Sequence, residues 1–146
     1  MNILVLDLDG VVVRFRSPGR KLRPAVANET CVAALNRILQ VSGAGIVVSS
    51  SWRQHTTVAK LQKCFKDWGI EGKVVGTTPV LFDRSKEILK WVEVNKDLIG
   101  DGAWVALDDD DLKVPNLIRC DPMVGLTEEL ASEAIVKLNG GEKLCE

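Results

Sequence analysis

Apolar residues come in short, unbroken runs separated by longer stretches of helical spacing. Ile3–Leu6 (ILVL) is four apolar residues with no polar alternation, the pattern of a strand covered on both faces. RFRSPGRKLRPA follows, with Pro18, Gly19 and Pro24 as breakers. Asn28 is placed to cap a helix over ETCVAALNRILQV, where Val32, Leu35, Ile38 and Leu39 recur at helical spacing; Ser42 and Gly43 end it. Ile46–Val48 is a second buried strand, running into three serines. The spacing of Val58, Leu61, Cys64, Phe65 and Trp68 predicts a second helix over Thr56–Trp68, stopped by Gly69. KVVGTTP predicts a third strand. RSKEILKWVEVN predicts a third helix with Ile88, Leu89 and Val92 inward. AWVALDDDD predicts a fourth strand and NLIRC a fifth. LTEELASEAIVKLNGG closes the pattern as a helix with Thr127 at its N-cap and Gly140 as its stop.

Strands alternating with helices predict an α/β fold, a mostly parallel sheet of about five strands with helices on both faces. With no linker or repeat, the 146 residues are read as one domain, 1–146. In such sheets the site lies outside the carboxyl ends of the strands. Those ends carry Asp7 and Asp9, then Ser49, Ser50 and Ser51, then Asp108 to Asp111. One rim therefore gathers acids and hydroxyls from separate parts of the chain.

Composition narrows the reading little. A net charge of −1 implies no polyionic partner for the molecule as a whole. No apolar run is long enough to span a membrane. The first residues, interrupted by Asp7 and Asp9, do not read as a signal peptide. Cys31, Cys64, Cys120 and Cys145 form no CxxC pair and His55 is the only histidine, so zinc is not expected. The thiols read as free, in a reducing cytoplasm.

Carboxylates converging from two strand ends form a hard oxygen pocket, which favours Mg²⁺ and a substrate phosphate. One Asp can attack phosphorus and carry it as an aspartyl-phosphate. A second can give a proton to the leaving oxygen and later take one from water. A serine hydroxyl can donate to a phosphoryl oxygen, and a cation can neutralise the charge developing in transfer. Lys86, in the first turn of the third helix, is the expected cation, with Arg84 its rival. Gly10 permits a tight turn beside the acids.

LVLDLDGVV, IVVSSSW, SKEILKWV and WVALDDDD, in that order, resemble the four motifs of the haloacid dehalogenase (HAD) superfamily of phosphohydrolases. The resemblance spans residues 3 to 111 and implies a Rossmann-like three-layer α/β/α domain. It implies Asp7 as nucleophile and Asp9 as acid/base and as donor of a backbone carbonyl to Mg²⁺. It also implies Ser49 at the phosphoryl group, Lys86 as the cation, and Asp108 and Asp109 at the metal, which Asp7 also faces. Asp109 is favoured as the direct ligand, the choice between the two staying open. VVSSSWR, KEILKWV, WVALDDD and the late GLT are similar to the small HAD domains of Swiss Army Knife RNA-repair proteins. Neither place where family members insert a cap is long enough here for one, so an open site without a cap domain is expected. Arg14, Arg16, Arg20, Lys21 and Arg23 form an acid-free basic loop expected to overhang that site. Arg14, Arg16, Arg53 and Arg84 are candidates for substrate contact, and Ser50 a further phosphate contact unless it serves as a cap. Asp110 and Asp111 read as a solvated run. The tryptophans read as packing, with Trp52 the one to watch beside the serines, and His55 as a surface residue.

The expected activity is a Mg²⁺-dependent phosphatase acting on a macromolecular phosphate such as a nucleic-acid end. The alternatives are a nucleotide or small-metabolite phosphatase, a receiver-like phospho-acceptor, and a catalytically quiet RNA-binding domain.

Overall fold

The computed structural model describes residues 1–13 and 27–140. Five parallel strands, β1 (Ile3–Leu6), β2 (Gly45–Val48), β3 (Val74–Thr77), β4 (Trp104–Asp108) and β5 (Leu117–Arg119), form one sheet in the order β3-β2-β1-β4-β5. The chain works outward from β1 to β3, then returns to the other side of β1 with β4. The sheet's switch point therefore lies between β1 and β4, where a crevice opens at the carboxyl ends.

Alternation sorts the strand residues between two cores. Leu4, Leu6, Ile46, Val48, Val105 and Leu107 face a layer built by α1 (Glu29–Ser42), α2 (Val58–Asp67) and α5 (Glu128–Leu138). Ile3, Val5, Val47 and Ala106 face α3 (Arg84–Val94) and α4 (Lys96–Ile99), through Ile88, Trp91 and Ile99. Burying each of the leucine, isoleucine and valine side chains stabilises by about 1.5–3 kcal/mol. This is the three-layer α/β/α fold the periodicity predicts.

The helix boundaries follow local chemistry. Asn28 accepts hydrogen bonds from the Thr30 and Cys31 N–H groups at 3.1 and 3.2 Å, and Gly43 closes α1 in a left-handed turn at φ 66°. Thr127 caps α5 as expected. The second helix differs from the sequence expectation. Ser50 caps a 3-10 turn over Ser51–His55, and α2 begins afresh at Val58 behind its own cap, Thr57. Val58 lies outside the buried face, at 39% exposure. On α3, Leu89 is exposed rather than inward, and Trp91 takes the buried position. The short α4 had no signal separable from α3. Among the described residues no inserted domain stands between β2 and α3.

Candidate active site

Four side chains stand in a row across the rim. Asp7 N donates to Leu107 O at 3.0 Å, Ser49 N to Leu6 O at 3.0 Å, and Thr78 N to Val48 O at 3.1 Å, so the parallel ladder runs one residue past the strands. Alternation then carries Val5 on to Asp7, Val47 to Ser49, Ala106 to Asp108 and Gly76 to Thr78, all toward the α3 side. The row reads Thr78, Ser49, Asp7, Asp108 across β3, β2, β1 and β4. Asp7, Ser49, Thr78 and Asp108 are all buried.

Carboxylate oxygens of Asp7, Asp108 and Asp109 lie within 4.8 Å of one another. Asp109 reaches the cluster over Gly10. A Cβ at Gly10 would stand 2.6 Å from Asp109 Oδ2, and Gly10 has φ +84°. Both facts demand glycine there. Asp7 Oδ1 accepts the Leu8 N–H at 2.9 Å, and Asp108 Oδ1 accepts the Asp110 N–H at 3.0 Å. Asp110 and Asp111 are exposed, the solvated run expected of them.

The cation in this cluster is Arg84. Its Nη1 lies 2.9 Å from Asp108 Oδ2 and 3.3 Å from Asp7 Oδ1. Lys86 is exposed, and its side chain has no ion pair among the described residues, against the expectation placed on it. The reason is helical geometry. Asp83 accepts the Lys86 N–H as the N-cap, so α3 starts at Arg84. Two residues further on, a side chain points about 200° around the axis. Arg84, Glu87, Ile88 and Trp91 share the inward face, and Lys86 faces away.

One guanidinium does not balance three acids. Burial, reinforced by Asp108 and Asp109 and opposed by Arg84, pushes the Asp7 carboxyl from 3.8 up to about 8. Burial also raises Asp108, against the Asp110 N–H and Arg84. For Arg84, burial favours the neutral form, but Asp7 and Asp108 outweigh it and hold the charge more firmly. A cluster of hard oxygen donors with unneutralised negative charge suits a divalent cation such as Mg²⁺. The donor set therefore fits a divalent metal ion.

Ser49 is 1% exposed and its hydroxyl has no hydrogen-bond partner among the described residues; the Thr78 hydroxyl is the other such atom. An orphaned buried hydroxyl is costly, and Ser49 stands beside Asp7, where a phosphoryl oxygen could satisfy it. Ser50 instead caps the 3-10 turn through its hydroxyl, which accepts the Trp52 N–H at 3.3 Å.

Asp9 is not one of the three clustered carboxylates. Its Oδ2 accepts the Trp52 indole N–H at 3.0 Å. Arg53, expected as a substrate contact, is buried and fully used within the protein. It donates to the carbonyls of Thr78, Ser49, Ser50 and Pro79 at 2.8 to 3.0 Å and pairs with Glu87 Oε1 at 3.0 Å. Glu87 Oε2 in turn accepts the Leu81 N–H at 2.8 Å. Arg53 is thus a staple that ties the ends of β2 and β3 to α3. Arg14 and Arg16, with the rest of the basic loop, lie outside the described residues. Trp52 is marked in the sequence by its place directly after the serines. The Arg53–Glu87 staple was missed, although Glu87 stands on the same helical face as Ile88 and Trp91.

Residues 3–131 match a family described as the HAD domain in Swiss Army Knife RNA repair proteins. The chain belongs to this family. No curated protein matches it. As a HAD domain it carries its acids where β1 and β4 meet, with α3 supplying an arginine between them. No described helix of this HAD domain is long and apolar enough to cross a membrane.

Proposed function

We propose that this HAD domain is a Mg²⁺-dependent phosphomonoester hydrolase that works through an aspartyl-phosphate on Asp7. The observation that carries the reading is the rim cluster: Asp7, Asp108 and Asp109 within 4.8 Å, Arg84 between the first two, and the orphaned Ser49 hydroxyl on the next strand. The Asp7 carboxylate attacks phosphorus while the ester oxygen departs with a proton from Asp9. Asp9 then takes a proton from the water that cleaves the aspartyl-phosphate. The Ser49 hydroxyl and the Arg84 guanidinium hold phosphoryl oxygens and stabilise the charge of transfer. Asp7, Asp108 and Asp109, with the Asp9 backbone carbonyl, would hold Mg²⁺. When bound, the ion supplies the positive charge that lets Asp7 ionise and phosphate approach it.

A macromolecular phosphate, such as an RNA end, is the substrate class we favour. The family description and the lack of an inserted domain between β2 and α3 support it, and we read residues 1–146 as one domain without a cap. Turnover of p-nitrophenyl phosphate with and without Mg²⁺ tests the chemistry. Asp7→Asn should abolish Mg²⁺-dependent turnover, and full activity in that variant would remove Asp7 as nucleophile. A panel of end-phosphorylated oligonucleotides, nucleotides, phosphopeptides and sugar phosphates tests the substrate class. Turnover of nucleotides or sugar phosphates well above the oligonucleotides would refute the macromolecular preference.

A further inference from the structure

The proposed acid, Asp9, is held by Trp52, which closes the second motif and has no assigned role in it. Asp9 is half-buried and lies two residues beyond the nucleophile, on the turn after β1. That turn is itself braced: Leu8 O accepts the N–H groups of Val11, Val12 and Val13 at 3.0 to 3.2 Å, and Gly10 N donates to Val13 O at 2.6 Å. The backbone position of Asp9 is therefore set. The direction of its carboxylate is not set by the backbone. Among the described residues, its one hydrogen-bond partner is the Trp52 indole N–H at 3.0 Å.

Trp52 is in turn fixed by packing. Its ring meets Trp68 edge-to-face, with centroids 5.6 Å apart at 68°. Trp68 stacks on the fully buried Phe65 of α2, at 6.0 Å and 20°. The Trp52 backbone is fixed by the Ser50 cap of the 3-10 turn. An indole has one donor and no acceptor, so it can offer Asp9 only this bond. The bond uses Oδ2 and leaves Oδ1 as the oxygen free to face a reacting group.

We propose that Trp52 is a positioning residue, which holds the Asp9 carboxylate so that its second oxygen meets the leaving oxygen of the substrate. The inference rests on the reading of Asp9 as acid and base given above. Misplacing a proton donor by about 1 Å can cost on the order of a hundredfold in rate, and general acid catalysis as a whole is worth about 10²–10⁴-fold. The loss depends on the leaving group. p-Nitrophenolate departs without a proton, whereas an alkoxide needs one.

Trp52→Phe keeps an aromatic ring against Trp68 and deletes the N–H. With an alkyl phosphate, its kcat/KM should fall about 10- to 100-fold. With p-nitrophenyl phosphate, kcat/KM should stay within about threefold, because that ratio reports the step before the proton is needed. Trp52→His, which restores a ring N–H, should recover part of the alkyl phosphate rate. Asp9→Asn is measured alongside on both substrates. Selective loss in Asp9→Asn but not in Trp52→Phe would overturn the role of Trp52 and leave the acid reading intact. Equal loss on both substrates in Asp9→Asn would overturn the acid reading, and the Trp52 inference with it. Should Trp52→Phe not fold, the histidine variant alone decides: leaving-group selectivity midway between wild type and Asp9→Asn supports the role, and equal loss on both substrates refutes it.

Discussion

Asp7→Asn should make the metal-free protein more stable, and by an amount that depends on pH. The wild-type carboxyl is held up at about 8, from 3.8, by burial and by the neighbouring Asp108 and Asp109 charges, despite Arg84. Between those two pH values the folded chain keeps a proton that the unfolded chain has released. Stability must then fall as pH rises through this window, and level off above about 8. Each tenfold change in proton affinity is worth about 1.4 kcal/mol, so the ceiling on the loss is about 6 kcal/mol. Asp108 shares the cluster, so the part that asparagine removes is smaller, roughly 2–4 kcal/mol. That is a large share of the 5–15 kcal/mol typical of a domain. The asparagine oxygen can still accept the Leu8 N–H that Asp7 accepts at 2.9 Å. Arg84 keeps its 2.9 Å contact with Asp108.

The assay is urea unfolding in EDTA, wild type against variant, from about pH 5 to about pH 9. The variant should gain on the wild type steadily as pH rises. Added Mg²⁺ should stabilise the wild type, more so at higher pH, because ligation requires the ionised carboxylate. The variant should gain far less. If wild-type stability in EDTA is flat or rises over this range, or if asparagine brings no advantage at the alkaline end, the claim of stored charge at Asp7 is wrong.

Four other outcomes follow from the geometry. Arg84→Ala should cost at least tenfold in turnover while Lys86→Ala leaves it within about twofold, since only Arg84 reaches the acids at 2.9 and 3.3 Å. Gly10→Ala should lower stability by about 1–3 kcal/mol and weaken Mg²⁺ binding in a titration, because the new methyl meets Asp109 Oδ2 at 2.6 Å and the backbone is strained at φ +84°. Glu87→Gln should destabilise by about 3–5 kcal/mol in the same unfolding assay, because it leaves the Arg53 charge buried without its partner. Ser49→Ala, which deletes an orphaned hydroxyl, should leave stability unchanged or slightly higher while raising KM for phosphate esters, a split that thermal melting and steady-state kinetics read separately.

The elements legible in the sequence were those with a local cause. Unbroken apolar runs marked the strands, and Asn28, Thr127 and Gly43 marked helix ends through their own side chains or lack of one. Strand–helix alternation alone puts Asp7 and Asp108 at one rim, and the row across the sheet follows from that placement. Residues that depend on azimuth were not legible. Motif spacing asked for a cation near the start of the third helix and found two, Arg84 and Lys86. What chooses between them is Asp83: as the N-cap it sets the first residue of α3, and so sets which side chain turns toward β1 and β4. The same rotation that brings Arg84 to the acids brings Glu87 under the loop that Arg53 staples. Arg53 and Arg84, both candidates for substrate contact, thus take different roles. The arginine beside the serines became structural because it met buried carbonyls, and the arginine at the helix start joined the site because it met buried carboxylates. Charge alone could not separate them, since the deciding partners lie 24 to 34 residues away along the chain for Arg53–Glu87 and Arg84–Asp108.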